Sequence, residues 1–102
     1  MIKILLVCSA GMSTALLVTK MKSSAAEQGI DCHIKSICIA ELKEYKDEVH
    51  VLLLAPQIRF LLNKIKDGFK TKGVPVEIID KVDYGTMNGK KVLEQALSIL
   101  NM

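Results

Sequence analysis

Of the side chains able to carry a reaction, Cys8 has the most informative setting. It closes an aliphatic run, Ile2-Lys3-Ile4-Leu5-Leu6-Val7, and opens the small, polar stretch Ser9-Ala10-Gly11-Met12-Ser13-Thr14 that precedes a helical segment. A thiol is a nucleophile only as the thiolate. At a helix N-terminus the unpaired backbone N–H groups and the macrodipole favour negative charge. The same donors take the oxygens of a phosphoryl group or similar anion. Ala10 and Gly11 keep such a loop free of bulk, and the hydroxyls of Ser9, Ser13 and Thr14 add donors and caps. Against this stands the plain reading, that a buried cysteine is often only a small hydrophobe ending a strand. Position and loop composition leave both open.

The other candidates are weaker. Cys32 and Cys38 lie on or just after a second strand, with no spacing suited to a metal, and read as structural. His33 alternates onto the face opposite Cys32, and His50 precedes the third strand at the amino end of the sheet, so neither is placed to activate Cys8. Lys64, Lys66, Lys70 and Lys72 make one helix basic, as a solvated face or as a docking surface for an acidic partner. Gln57 and Tyr84 belong to loops expected at the same sheet edge as Cys8, where they would border a partner-facing surface. No cofactor or metal site is expected.

The elements that position Cys8 follow from hydrophobic spacing. The run from Ile2 to Val7 is the pattern of a strand buried on both faces. A helix is expected from Ala15 to about Gly29, with Leu17, Val18, Met21 and Ala25 on its inner face and Gly29 as its stop. Asp31 to Ile37 alternates as a less apolar edge strand, a helical turn follows over 40–45, and Val49 to Ala55 is a second interior strand closed by Pro56. Ile58, Leu61, Leu62, Ile65 and Phe69 recur at helical spacing, with Gly73 ending that helix. Val76 to Ile79 is a fourth strand. Val92, Leu93, Ala96, Leu97 and Leu100 stripe a last helix introduced by Met87-Asn88-Gly89. This β-α-β-α-β-α-β-α order predicts one α/β domain, an open four-stranded parallel sheet with helices on both faces. The most apolar strands, first and third, should sit side by side, giving the order 2-1-3-4. Cys8 then falls at the topological switch point, outside the carboxyl ends of the strands, where open α/β sheets bind ligands.

Composition narrows the function classes. The chain has 102 residues and a formal net charge of +3, but Arg59 is its only arginine and the lysines are dispersed. With 4% aromatic residues and no recognition helix or zinc motif, nucleic-acid binding is not expected. An odd cysteine count without a C-x-x-C pair argues against a disulfide framework and suits a reducing cytoplasm. The apolar start is far too short for a signal peptide or membrane span, so direct membrane insertion is not expected.

The Cys8–Thr14 segment, followed by Leu16-Leu17-Val18 and Lys20-Met21, resembles the phosphorylation-site loop of enzyme IIB components of the phosphoenolpyruvate-dependent sugar phosphotransferase system, lactose/cellobiose class. Leu53-Leu54-Ala55-Pro56-Gln57-Ile58, Tyr84-Gly85 and Asn88-Gly89 are similar as well, and the resemblance spans essentially residues 1–102 as one such domain. It implies a cytoplasmic phosphoryl carrier, peripheral to the membrane through its partner. Cys8 would accept phosphate from a phosphohistidine on the IIA component. It would pass the group to a sugar held by the membrane-embedded IIC component, a β-linked disaccharide such as cellobiose, chitobiose or lactose. Ser9, Ala10, Gly11, Met12, Ser13 and Thr14 would cradle the phosphate.

The alternative is a hydrolase. Low-molecular-weight cysteine phosphatases share the strand–loop–helix layout but use C-x5-R, and the arginine position counted from Cys8 is Thr14. The guanidinium that clamps the transferring group is therefore missing. Asp83, next to Tyr84, offers only a faint parallel to the late aspartate of those enzymes. A carrier gains from that loss, because a phosphocysteine must outlast the wait for its acceptor. A non-catalytic interaction module is the third possibility; it would leave partner binding intact in Cys8→Ser.

Overall fold

The computed structural model describes residues 1–9 and 12–101, with the side chains of all of these except Met12 and Ser13. Strands β1 (Ile2–Cys8), β2 (Cys32–Cys38), β3 (Val51–Leu54) and β4 (Val76–Ile78) form one parallel sheet. Their spatial order is β2-β1-β3-β4, the order expected from the sequence. The interior positions go to the two continuous aliphatic runs, whose backbones are hydrogen-bonded on both sides and whose side chains are covered on both faces. The register sets Cys8 opposite Cys38, and Val7 between Ile37 and Leu54.

Alternation along β1 divides the core. Ile4, Leu6 and Cys8 point to one face, where they pack with Leu17, Val18 and Met21 of α1 (Met12–Gln28) and Val92, Leu93 and Ala96 of α4 (Gly89–Ile99). Leu5 and Val7 point to the other, against Ile58 and against Ile65 of α2 (Leu62–Phe69). Helix α1 stops at Gly29, whose φ of 68° lies in the left-handed region that glycine enters without a Cβ clash. Helix α4 starts at the cap Asn88, whose side chain accepts from the Lys91 N–H at 3.1 Å. Its first residue, Gly89, lies so close to α1 that a Cβ there would be 2.6 Å from the carbonyl carbon of Lys20.

Three expectations need correction. The single helix expected after Pro56 is a 3-10 turn (Pro56–Leu61), then α2, then a second 3-10 turn (Lys70–Lys72) ended by Gly73 at φ 68°. The tighter turns change the phase of the apolar stripe, so Ile58 and Ile65 are buried while Leu61, Leu62 and Phe69 stay half-buried. A short helix, α3 (Lys81–Gly85), was not expected between β4 and α4. Five residues carry no readable periodicity, but Asp80 caps it by accepting from the N–H groups of Val82 and Asp83. Helix α1 begins at Met12 and not at Ala15, which brings its N-terminus nearer to Cys8.

Candidate active site

Strand β1 delivers Cys8 to the carboxyl edge of the sheet, and the chain then turns onto the α1/α4 face. The neighbouring strand β3 turns at the same edge onto the α2 face, through the 3-10 turn that starts at Pro56. Cys8 therefore stands at the switch point, where successive connections diverge and leave room for a ligand. It is 3% exposed, and its Sγ donates to the carbonyl oxygen of Ile37 at 3.6 Å.

Ser9 is exposed. Ala10 and Gly11 lie outside the described residues; Met12 and Ser13 form the first residues of α1, with their side chains undescribed. Thr14 is fully buried, and its hydroxyl lies 3.4 Å from the phenolic oxygen of Tyr84. That pair ties the first turn of α1 to α3. It also corrects the expectation for Tyr84. The side chain, expected in a loop at the partner-facing edge, is 7% exposed and packs in the same buried cluster as Cys8. Gln57 is exposed in the turn that follows β3.

The remaining candidates lie away from Cys8 or serve the scaffold. His33 is in register with Lys3, and His50 Nδ1 accepts from the Lys3 backbone N–H at 2.8 Å. Both are thus at the amino edge, about 16 Å along β1 from Cys8 at the rise of a strand. Cys32 sits at that edge too, opposite Ile2. Burial, and then the negative charge of Asp31, push its thiol above the usual range. Cys38 neighbours Cys8, and its backbone N–H donates to Glu41 Oε1 at 3.0 Å. All three cysteines are free. Among the described residues no cluster of His, Cys, Asp and Glu is suited to a metal ion, and no helix is long and apolar enough to cross a membrane.

One feature of this edge had no signal in the sequence. Leu16, Phe60 and Val82 are 51%, 77% and 69% exposed, and each belongs to an element that begins at the carboxyl edge: α1, the turn after β3, and α3.

The chain matches the family described as "PTS system, Lactose/Cellobiose specific IIB subunit" over residues 3–95. It belongs to that family. This IIB chain is 42% identical over 98 residues to the PTS system oligo-beta-mannoside-specific EIIB component of Bacillus subtilis (strain 168), covering 96% of itself and 95% of that relative. The solution structure of the cellobiose-specific phosphotransferase IIB component protein from Borrelia burgdorferi is similar with a TM-score of 0.78 and 46% identity, over 98% of this chain and 92% of that one. The lactose-specific IIB component domain from Streptococcus pneumoniae shares the fold, with a TM-score of 0.85 at 18% identity over 95% of each chain. EIIB components are phosphotransferases of sugar transport, and this IIB chain is one for lactose/cellobiose-type sugars. The hydrolase alternative is not favoured.

Proposed function

We propose that Cys8 is the phosphoryl-carrying residue of this IIB chain, accepting the group from a phosphohistidine on a IIA component and passing it to a sugar bound by the membrane IIC component. The observation that carries this reading is the position of Cys8 at the switch point of the sheet, immediately ahead of the N-terminus of α1. In the first step the sulfur attacks phosphorus, a P–S bond forms and the P–N bond breaks, and the thiol proton leaves with the imidazole. In the second a sugar hydroxyl attacks, an O–P bond forms, and the P–S bond breaks with its electron pair on sulfur. The hydroxyl proton is released, and the sulfur is free to regain one.

The chain's own contribution is positioning and charge stabilisation. Backbone N–H groups of Ser9, Ala10, Gly11, Met12, Ser13 and Thr14, together with the Ser9 and Ser13 hydroxyls, hold the phosphoryl oxygens. Thr14 contributes through its backbone, since its hydroxyl is directed to Tyr84. No guanidinium stands at Thr14 to hasten loss of the group to water. Leu16, Phe60 and Val82, with Gln57 beside them, offer IIA and IIC an apolar rim that excludes water during transfer.

Residues 1–102 act as one EIIB domain in the cytoplasm, held at the membrane through IIC. The sugar is a β-linked disaccharide such as cellobiose, chitobiose or lactose. The names of the Bacillus relative, for oligo-β-mannosides, and of the Borrelia structure, for cellobiose, support that class.

The test is label transfer from phosphoenolpyruvate through the general phosphotransferase proteins and a matching IIA, using wild type and Cys8→Ser. The carrier reading expects labelled, slowly hydrolysing wild type and an unlabelled but folded variant. Rapid turnover of an aryl phosphate by the isolated protein would instead identify a hydrolase.

A further inference from the structure

On the face opposite the Cys8 side chain, a groove of about 360 Å³ opens between the 3-10 turn Ile39–Glu44 and α2. Its walls are apolar: Ile39, Leu42, Tyr45, Leu61, Ile65 and Phe69. Its polar lining has a single sign. Lys43 and Lys46 stand on one side and Lys64 and Lys72 on the other, and no acidic side chain among the described residues lines it. The ammonium group of Lys72 lies 5.0 Å from the centre of the Phe69 ring, and that of Lys35 lies 5.4 Å from the centre of the Tyr45 ring. Cations thus lean over both aromatic walls.

The groove resolves the basic helix noted in the sequence into two halves. Lys64 and Lys72 border the groove, while Lys66 and Lys70 lie on the opposite flank, beside Val76 and Glu77. Neither acid of the neighbouring turn, Glu41 or Glu44, lines the groove, and Glu41 accepts the Cys38 N–H. A recessed apolar floor with two lysines on each side is complementary to an apolar ridge flanked by carboxylates. A bilayer surface is the poorer fit, since the walls lie recessed between a turn and a helix where a flat headgroup plane does not reach.

We propose that this groove docks an acidic amphipathic helix of a partner protein, its apolar stripe on Ile39, Leu42, Ile65 and Phe69 and its carboxylates on Lys43, Lys46, Lys64 and Lys72. The site is independent of the assignment of Cys8. The groove belongs to the α2 face and Cys8 to the α1/α4 face, so both are open at once.

The test is titration of the 15N-labelled full chain with a synthetic helical peptide carrying leucines at i, i+3, i+4 and i+7 flanked by glutamates. A lysine-flanked version and phosphatidylglycerol vesicles serve as competing probes. The glutamate peptide should shift amides of Ile39, Leu42, Ile65, Gly68 and Phe69. Gly68 lines the groove, and a Cβ built there meets nothing within 4 Å, so Gly68→Leu adds bulk at the groove without a clash at its Cβ, and circular dichroism checks that the variant stays folded. It and the double variant Lys64→Glu/Lys72→Glu should each weaken binding by about tenfold or more, with Lys66→Glu/Lys70→Glu within about twofold of wild type. Equal binding of both peptides, shifts centred elsewhere, or insensitivity to Gly68→Leu overturns the proposal. Binding of the vesicles but not of the peptide overturns it as well and assigns the patch to a membrane surface.

Discussion

Replacing Gly89 by alanine adds one methyl group where α4 lies close against α1. The new Cβ would lie 2.6 Å from the Lys20 carbonyl carbon, 2.7 Å from the Lys20 Cβ and 2.7 Å from the Met21 nitrogen. Two of these are backbone atoms of a helix packed on the sheet, so no rotamer change relieves the overlap and the helices must separate. Overpacking of this kind costs about 1–3 kcal/mol, and rigid neighbours favour the upper half. Alanine recovers at most about 0.5–1 kcal/mol of helix preference. The net is a loss of about 2 kcal/mol. At ~4–8 °C per kcal/mol for a domain of this size, Tm falls by roughly 8–16 °C. Gly68→Ala is the control: it makes the same chemical change in a helix, with nothing within 4 Å of the new carbon, and should stabilise by about 0.5–1 kcal/mol. Urea denaturation followed by circular dichroism measures both. A Gly89→Ala variant as stable as wild type, or one no less stable than Gly68→Ala, would refute the close-packing argument.

Tyr84→Phe removes the phenolic partner of the buried Thr14 hydroxyl, and urea denaturation should register a loss of about 1–2 kcal/mol. Asn88→Ala deletes the α4 cap and should cost about 1 kcal/mol by the same measurement. Burial and then Asp31 raise the Cys32 thiol, and burial and then Asp47 raise the Tyr45 phenol. The folded chain therefore retains protons that the unfolded chain releases. That contribution to stability is complete below roughly pH 8.5, the ordinary thiol value, and is lost as pH rises past it and through the raised values. The urea midpoint should fall from about pH 8 to about pH 10.5, and Asp31→Asn should shrink the fall.

Much of the fold was legible because burial differs so strongly between strands. Ile2–Val7 and Val51–Leu54 carry no polar alternation to place on a solvent face, which puts them in the middle; His33 and Lys35 mark β2 as an edge. Cys8 was legible for the same reason, as the residue where an interior strand gives way to small and hydroxyl residues. Features set by short turns were hidden. Helix α3 is too brief to show a period, so Tyr84 looked like part of an exposed loop, although the helix turns its ring into the core beneath α1. The 3-10 turns around α2 shift the apolar stripe by part of a turn, leaving Leu61 and Phe69 to wall a groove that an unbroken helix would have closed onto the sheet. Exposure of Leu16, Phe60 and Val82 depends on which way three separate elements leave one edge, and that information is tertiary.

Peptide mapping of the adduct locates the phosphoryl group proposed to rest on Cys8. The full chain is charged from phosphoenolpyruvate through the general phosphotransferase proteins and IIA, then digested and sequenced by mass spectrometry under conditions that preserve phosphothioesters. One phosphoryl group is expected, on the peptide containing Cys8, and it should be lost on addition of IIC and its sugar. A phosphoryl group on His33, His50 or any other residue, with Cys8 unmodified in the presence of a competent donor, would contradict it.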